Sequence, residues 1–395
     1  MKNFVFLSPN FPAIYWKFCA ELKNNGMRVL GIGDAPYDDL LPELKDSLHE
    51  YYKVSSLENY DEVFRAVAFF SYKYGKIDWL ESNNEYWLER DAKLRTDFHI
   101  TSGFMNDDIR SVKYKSAMKA FYAKAGIPTA RYHIVETFDS AAAFANKVGY
   151  PVVVKPDNGV GANATYRLRN DDELRFFMDH KDDTVYIMEE MVKGVVCTYD
   201  AIIGAEGQPL FESGNVTPVC LMDVVNDNGD CMYYLYKEVP ADVRDAGLRT
   251  VAAFGVKSRF IHFEFFRLTE DQEGLGKEGD LIGLEVNMRP AGGYTPDMYN
   301  YGYETDVYKI WADMICFDKS TKPLGTCRFC GFAGRRDGKN FRMDRNAVME
   351  KYGYSVKMQG RVPDALSGAM ANEMYIAIFD TEEELWQFYR DILSE

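Results

Sequence analysis

A chain of 395 residues, 47% of them apolar, is long enough for two or three domains with substantial cores. Its 61 acidic and 46 basic side chains leave a net charge of −15, which argues against a nucleic-acid binder, while 27% charged and 15% aromatic residues argue against a disordered chain. No apolar run approaches the roughly 18 residues of a membrane helix, Phe4-Val5-Phe6-Leu7 is too short for a signal-peptide core, and seven scattered cysteines suggest no disulfide framework. The expectation is a soluble, cytoplasmic, globular protein with no nucleic-acid or membrane partner.

The first hundred residues predict strands alternating with helices. Strands are expected at Phe4–Leu7, Arg28–Ile32 and Ile77–Leu80, and helices at Ile14–Asn25 and Tyr60–Tyr74, a pattern that implies a parallel sheet with crossover helices. A dinucleotide site would place a three-glycine fingerprint after the first strand, and none is there; Gly31-Ile32-Gly33, after the second, lacks the third glycine. One lysine-rich helix is expected from Val112 to Ala125, closed by Gly126-Ile127-Pro128. A second α/β layer follows, with strands at Tyr132–Val135, Val152–Lys155, Ala164–Leu168 and Val185–Met188 and helices at Ser140–Val148 and Asp171–His180. Tyr199 to Val286 is strand-rich, with one helix at Ala241–Phe254. Arg328 to Lys351 is locally basic, with seven Lys/Arg against three Asp/Glu.

Four clusters could carry chemistry. Lys155 leads a glycine hairpin, Gly159-Val160-Gly161, between two strands; its backbone N–H groups and the lysine suit a phosphate, although a plain hairpin reads the same way. Lys115, a surface lysine by itself, would supply a second cation to the same polyphosphate. Glu189-Glu190-Met191-Val192 could offer backbone groups and apolar walls to a base, or be an edge strand with solvated acids. The most informative cluster is an antiparallel hairpin, Phe260–Phe266 with Leu281–Arg289, around the charged loop Thr269–Asp280. Period-two geometry puts Glu285 and Asn287 on one face, and pairing of Glu264 with Glu285 would add His262 and Glu264 to it. Carboxylates among such apolar strands need a cation, and two carboxylates with an amide oxygen suit Mg²⁺. Arg289 could hold a phosphoryl group or oxyanion, or form a structural ion pair with Glu285. His262 reads as a hydrogen-bonded core residue rather than a ligand.

In this order the clusters resemble the ATP-grasp superfamily, over about Lys113 to Asp318. The resemblance implies an N-terminal Rossmann-like parallel-sheet domain (1–110), a two-lobed ATP-grasp domain (111–318) and a small C-terminal α+β extension (319–395). It implies that Lys115, Lys155, Gly159 and Gly161 hold ATP phosphates, that Glu189, Glu190, Met191 and Val192 form the adenine linker, and that Glu264, Glu285 and Asn287 bind one or two Mg²⁺ ions. Arg289 would be catalytic. Many relatives carry a ribose-binding glutamate where this chain has Val196, and Asp200 or Glu189 are the substitutes considered.

The implied reaction phosphorylates a carboxylate and couples the acyl phosphate to an amine, giving ADP and phosphate. Arg289-Pro290-Ala291-Gly292-Gly293 and the segment from Gly331 are similar to amino-acid ligases of the superfamily. An ATP-grasp carboxylase, a non-catalytic nucleotide-binding protein and a nicotinamide-dependent oxidoreductase are the alternatives. The expected partners are a small-molecule carboxylate and amine, and a homodimer is compatible with the sequence. Arg335 and Arg336 are expected at the active-site mouth or on a solvated surface. Cys327 and Cys330 have zinc-like spacing but no second Cys or His pair nearby, so chance spacing is the expectation.

Overall fold

The protein is described from a computed structural model covering residues 1–159, 164–219, 224 and 229–395. Gly161 therefore lies outside the described residues. The first four strands, β1 (Asn3–Leu7), β2 (Arg28–Gly33), β3 (Glu50–Lys53) and β4 (Trp79–Glu81), form a parallel sheet in the order β3-β2-β1-β4. Its central strands β1 and β2 are buried on both faces, as helices crossing between parallel strands require. On one face Phe4, Phe6 and Phe18 pack edge-on against Trp311 of the helix Val307–Phe317. On the other, Val5, Leu7 and Leu30 meet the helix Tyr60–Tyr74.

A second sheet is antiparallel and runs β5-β8-β6-β7, from β5 (Tyr132–Ile134), β6 (Val152–Pro156), β7 (Tyr166–Leu168) and β8 (Tyr186–Glu190). Pairing of β6 with β7 makes Lys155 the last cation of one hairpin arm, as the glycine pattern implies.

The third sheet has nine strands among the described residues: β9 (Gly194–Ile203), β10 (Pro209–Ser213), β11 (Asn215–Thr217), β12 (Cys231–Leu235), β13 (Arg259–Leu268), β14 (Leu281–Asn287), β15 (Phe329–Arg335), β16 (Val356–Arg361) and β17 (Glu373–Phe379). Its order is β14-β13-β9-β11-β12-β15-β17-β16, with β10 on β9. The C-terminal strands thus continue the sheet that carries the acids. Among the described residues no helix is long and apolar enough to cross a membrane.

The expected helix Val112–Ala125 is two helices, Asn106–Lys113 and Lys115–Lys124, broken at extended Tyr114. No Gly or Pro marks the break. Asp157, just beyond β6, makes it possible: its C=O accepts from Lys115 N–H at 2.8 Å and its carboxylate from Ser116 N–H at 2.7 Å. Acceptors at the first turn satisfy donors that a helix start leaves open. The cap also joins the Lys115 helix to the Lys155 hairpin.

Candidate active site

Arg259–Leu268 and Leu281–Asn287 pair antiparallel, with His262 opposite Asn287 and Glu264 opposite Glu285. The register then slips, leaving Leu284 as a bulge. Gly283 lets the Lys115 helix lie close to this strand, because a Cβ there would fall 2.6 Å from the ring of buried Tyr122. That approach brings Lys115 Nζ to 3.1 Å from Glu285 and 3.0 Å from the Gly159 carbonyl.

A cavity of about 450 Å³ lies between the second and third sheets. Lys115, Lys119, Lys155, Glu189, Glu264 and Glu285 supply its charged wall. Ala130, Val153, Phe266 and Leu284 supply apolar surface, and the Met191–Gly194 linker borders it. Few polar groups converging on an apolar pocket are what a small-molecule site needs.

Each charge has a partner. Glu189 is buried between Lys155, at 2.6 Å, and Lys119 on its other oxygen. Burial would raise its carboxyl, but the two ammonium groups bring it down to about 2. Lys119 is lowered, because burial and neighbouring Lys155 outweigh Glu189. Burial works against charged Lys115 too, yet Glu285 and Glu85 overcome it and raise its pKa. The Glu285 carboxyl is raised by burial, which outweighs Lys115 with the help of Glu85 and Glu264. Glu85, Glu264 and Glu285 thus crowd together at this end of the cavity.

His262 is held between Asp200 at 2.6 Å and Glu264 at 3.1 Å. Although burial disfavours its charge, the two carboxylates raise it to about 9. Both ring nitrogens of His262 thus have a carboxylate partner. Asp200 is a correction: it is fully buried and accepts from His262, Thr198 and Asn215 rather than lining the cavity, so it offers a ribose nothing.

Arg289 does not pair with Glu285. It reaches Glu85, 2.6 Å away in the turn after β4, and donates to Asn287 Oδ1 at 3.4 Å. Burial would lower its pKa; Glu85 raises it instead. Asn287 Nδ2 in turn donates to Glu264 at 3.3 Å. Glu190 faces the other way, its carboxylate taking the Arg131 N–H at 2.6 Å and guanidinium at 2.8 Å.

Among the described residues no three His, Cys, Asp or Glu side chains form a metal cluster, at Cys327 and Cys330 or elsewhere. The hairpin offers a different set: two carboxylates and one amide oxygen, all hard ligands. Together with the raised Glu285 carboxyl, this set fits a divalent cation.

Arg335 and Arg336 meet neither expectation, since both are buried. Arg335 donates to the Ile392 carbonyl at 2.7 Å, and Arg336 to the carbonyls of Gly229, Val224, Ser367 and Gly368. They fasten chain segments together. Two site residues went unread. Lys119 sits four residues after Lys115, a spacing that puts both on one helix face. Glu85 lies 204 residues from Arg289 and carries no local signal.

Residues 114–187 match the ATP-binding domain of the carbamoyl-phosphate synthase L chain. The chain is 26% identical over 231 residues to an L-arginine-specific L-amino acid ligase of Bacillus subtilis, a match covering 56% of this chain and 53% of that one. It thus spans about half the length of that relative. The crystal structure of an L-amino acid ligase from Bacillus licheniformis aligns with a TM-score of 0.69 at 15% identity, over 100% of this chain and 99% of that one. Phosphoribosylglycinamide synthetase from Anaerococcus prevotii gives 0.65 at 14% identity, with both chains fully covered. At these identities the two structures speak for the fold. In its matched ATP-binding segment and in its fold the chain is similar to the ATP-grasp superfamily.

Proposed function

We propose that the protein is an ATP-dependent carboxylate–amine ligase acting on amino acids. It converts the carboxylate of one substrate to an acyl phosphate, which the amine of a second attacks, releasing phosphate and leaving ADP. The observation that carries the reading is the convergence of three lysines and two acidic strands at one end of a partly apolar cavity. The name of the Bacillus subtilis relative supports amino acids as substrates.

In this reading Lys115 and Lys155 hold ATP phosphates, aided by Gly159, and the linker Glu189–Val192 borders the base. Mg²⁺ held by Glu264, Glu285 and Asn287 would neutralise charge on the β- and γ-phosphates. Arg289, charged and oriented by Glu85, stabilises the oxyanion that develops as the amine attacks. Phe266, Val153 and Leu284 give the base an apolar surround.

An ADP-release screen over pairs of amino acids tests the proposal. Hydroxylamine should trap the activated carboxylate as a hydroxamate when the amine is withheld. AMP and pyrophosphate as products would reject the mechanism. Glu264→Ala and Glu285→Ala should each abolish turnover and flatten the Mg²⁺ dependence of nucleotide binding; activity in both would make the acidic face structural.

A further inference from the structure

The linker Met191–Lys193 joins β8 to β9 and belongs to neither strand. The loop between β13 and β14 folds over it. Gln272 Nε2 donates to the Met191 carbonyl at 2.7 Å, and Gln272 Oε1 accepts from Lys193 N–H at 3.0 Å. In extended chain the C=O of one residue and the N–H two residues on point to the same side, while the residue between points both its groups to the other. One side-chain amide thus occupies the linker's outer side as a neighbouring strand would. The N–H and C=O of Val192, which borders the cavity, have no hydrogen-bond partner among the described residues.

The clasp is itself anchored. Gln272 N–H donates to Gly276 at 2.9 Å and its C=O accepts from Leu275 at 3.1 Å. Leu275 packs with Val192, Ala130, Leu268 and Ile282. Thr269 N–H donates to the Lys193 carbonyl at 3.1 Å.

We infer that Gln272 is a positioning residue for base recognition, turning the Val192 N–H toward the nucleobase and so favouring adenine. This rests on the reading that the cavity binds ATP. Adenine's pairing edge carries a bare ring nitrogen that accepts from such an N–H. Guanine carries a ring N–H at the equivalent place, and two donors would then face each other.

Calorimetry on the full chain, with MgATP and MgGTP as probes, tests this without either amino acid. The wild type should prefer MgATP. Gln272→Ala and Gln272→Met should weaken MgATP about tenfold, the size expected of one to two neutral hydrogen bonds, and change MgGTP less than about twofold. Gln272→Glu should do at least as badly, because a carboxylate oxygen would face the Met191 carbonyl. A destabilised clasp with no role in recognition would lower the melting temperature without moving the ATP/GTP ratio, and that result overturns the inference. So does a wild type that binds both nucleotides equally. Lys155→Ala separates the two claims: lost affinity there with unchanged Gln272 variants leaves the ATP reading standing, whereas unchanged affinity there refutes the ATP reading.

Discussion

The ammonium of Lys115 and the carboxylate of Glu285 meet at 3.1 Å although 170 residues separate them. Their surroundings favour one charge and disfavour the other. Lys115 also faces Glu85 and Glu189, which keep it charged, whereas for Glu285 burial, with Glu85 and Glu264, outweighs Lys115 and Lys155. A phosphate chain and a divalent cation entering together would give each group a partner of its own.

That asymmetry fixes how stability responds to substitution. Lys115→Met leaves the largely buried Glu285 without the ammonium it pairs with and should cost about 3–5 kcal/mol. Glu285→Gln removes a carboxylate that burial, Glu85 and Glu264 disfavour and should leave the fold as stable or more so at pH 7, while ending turnover. Urea unfolding checks both. A marked loss of stability in Glu285→Gln would sink the account of crowded negative charge.

Glu189 has two lysines, so losing one should be tolerated. Lys155→Ala should weaken MgATP at least roughly tenfold, equivalent to about 1.5 kcal/mol or more, with little change in unfolding. Removing both cations in Lys119→Met/Lys155→Met strands a buried carboxylate and should cost about 3–5 kcal/mol, more than the two single changes together. Strict additivity in that cycle would mean Glu189 does not couple them.

Arg289→Ala should lower kcat by roughly 10²–10³ with MgATP affinity nearly unchanged. Arg289→Lys should not rescue it, because an ammonium has no second nitrogen to donate to the Pro290 carbonyl while the first holds Glu85 and Asn287. Equal losses of kcat and MgATP affinity in Arg289→Ala would assign the residue to nucleotide binding instead.

Acid should weaken the fold through Glu189. Its carboxyl titrates at about 2 in the folded chain against 4.5 ordinarily, so its contribution is full above pH 4.5 and is lost as pH falls toward 2. The amount at stake is at most about 3 kcal/mol. Unfolding of the free protein, followed from pH 6 to 3, should fall less steeply in Glu189→Gln than in the wild type. Parallel slopes would show that Glu189 is not held by its lysines.

The acidic face was legible because a strand repeats every two residues: once Glu264 stands opposite Glu285, His262 and Asn287 follow. The Glu85–Arg289 pair was not, since nothing local to either residue records a contact between the first sheet and the third. Tyr114 broke a helix that composition favours, because an acceptor 43 residues away caps the second half. Arg336 shows a further limit. Charge along the chain reveals a basic stretch, but whether a guanidinium meets water or four carbonyls depends on how distant segments pack.

The third sheet has one more consequence. The ladder Cys231–Leu235 against Cys330–Gly334 spans an exposed connection around residues 317–326. A protease that cuts there would sever the polypeptide without separating its pieces, since backbone hydrogen bonds and the Arg336 clasp would still hold them. The converse is harsher. A chain ending at Asp318 would leave β12 with a bare row of donors and acceptors, the template on which copies of a protein stick to one another.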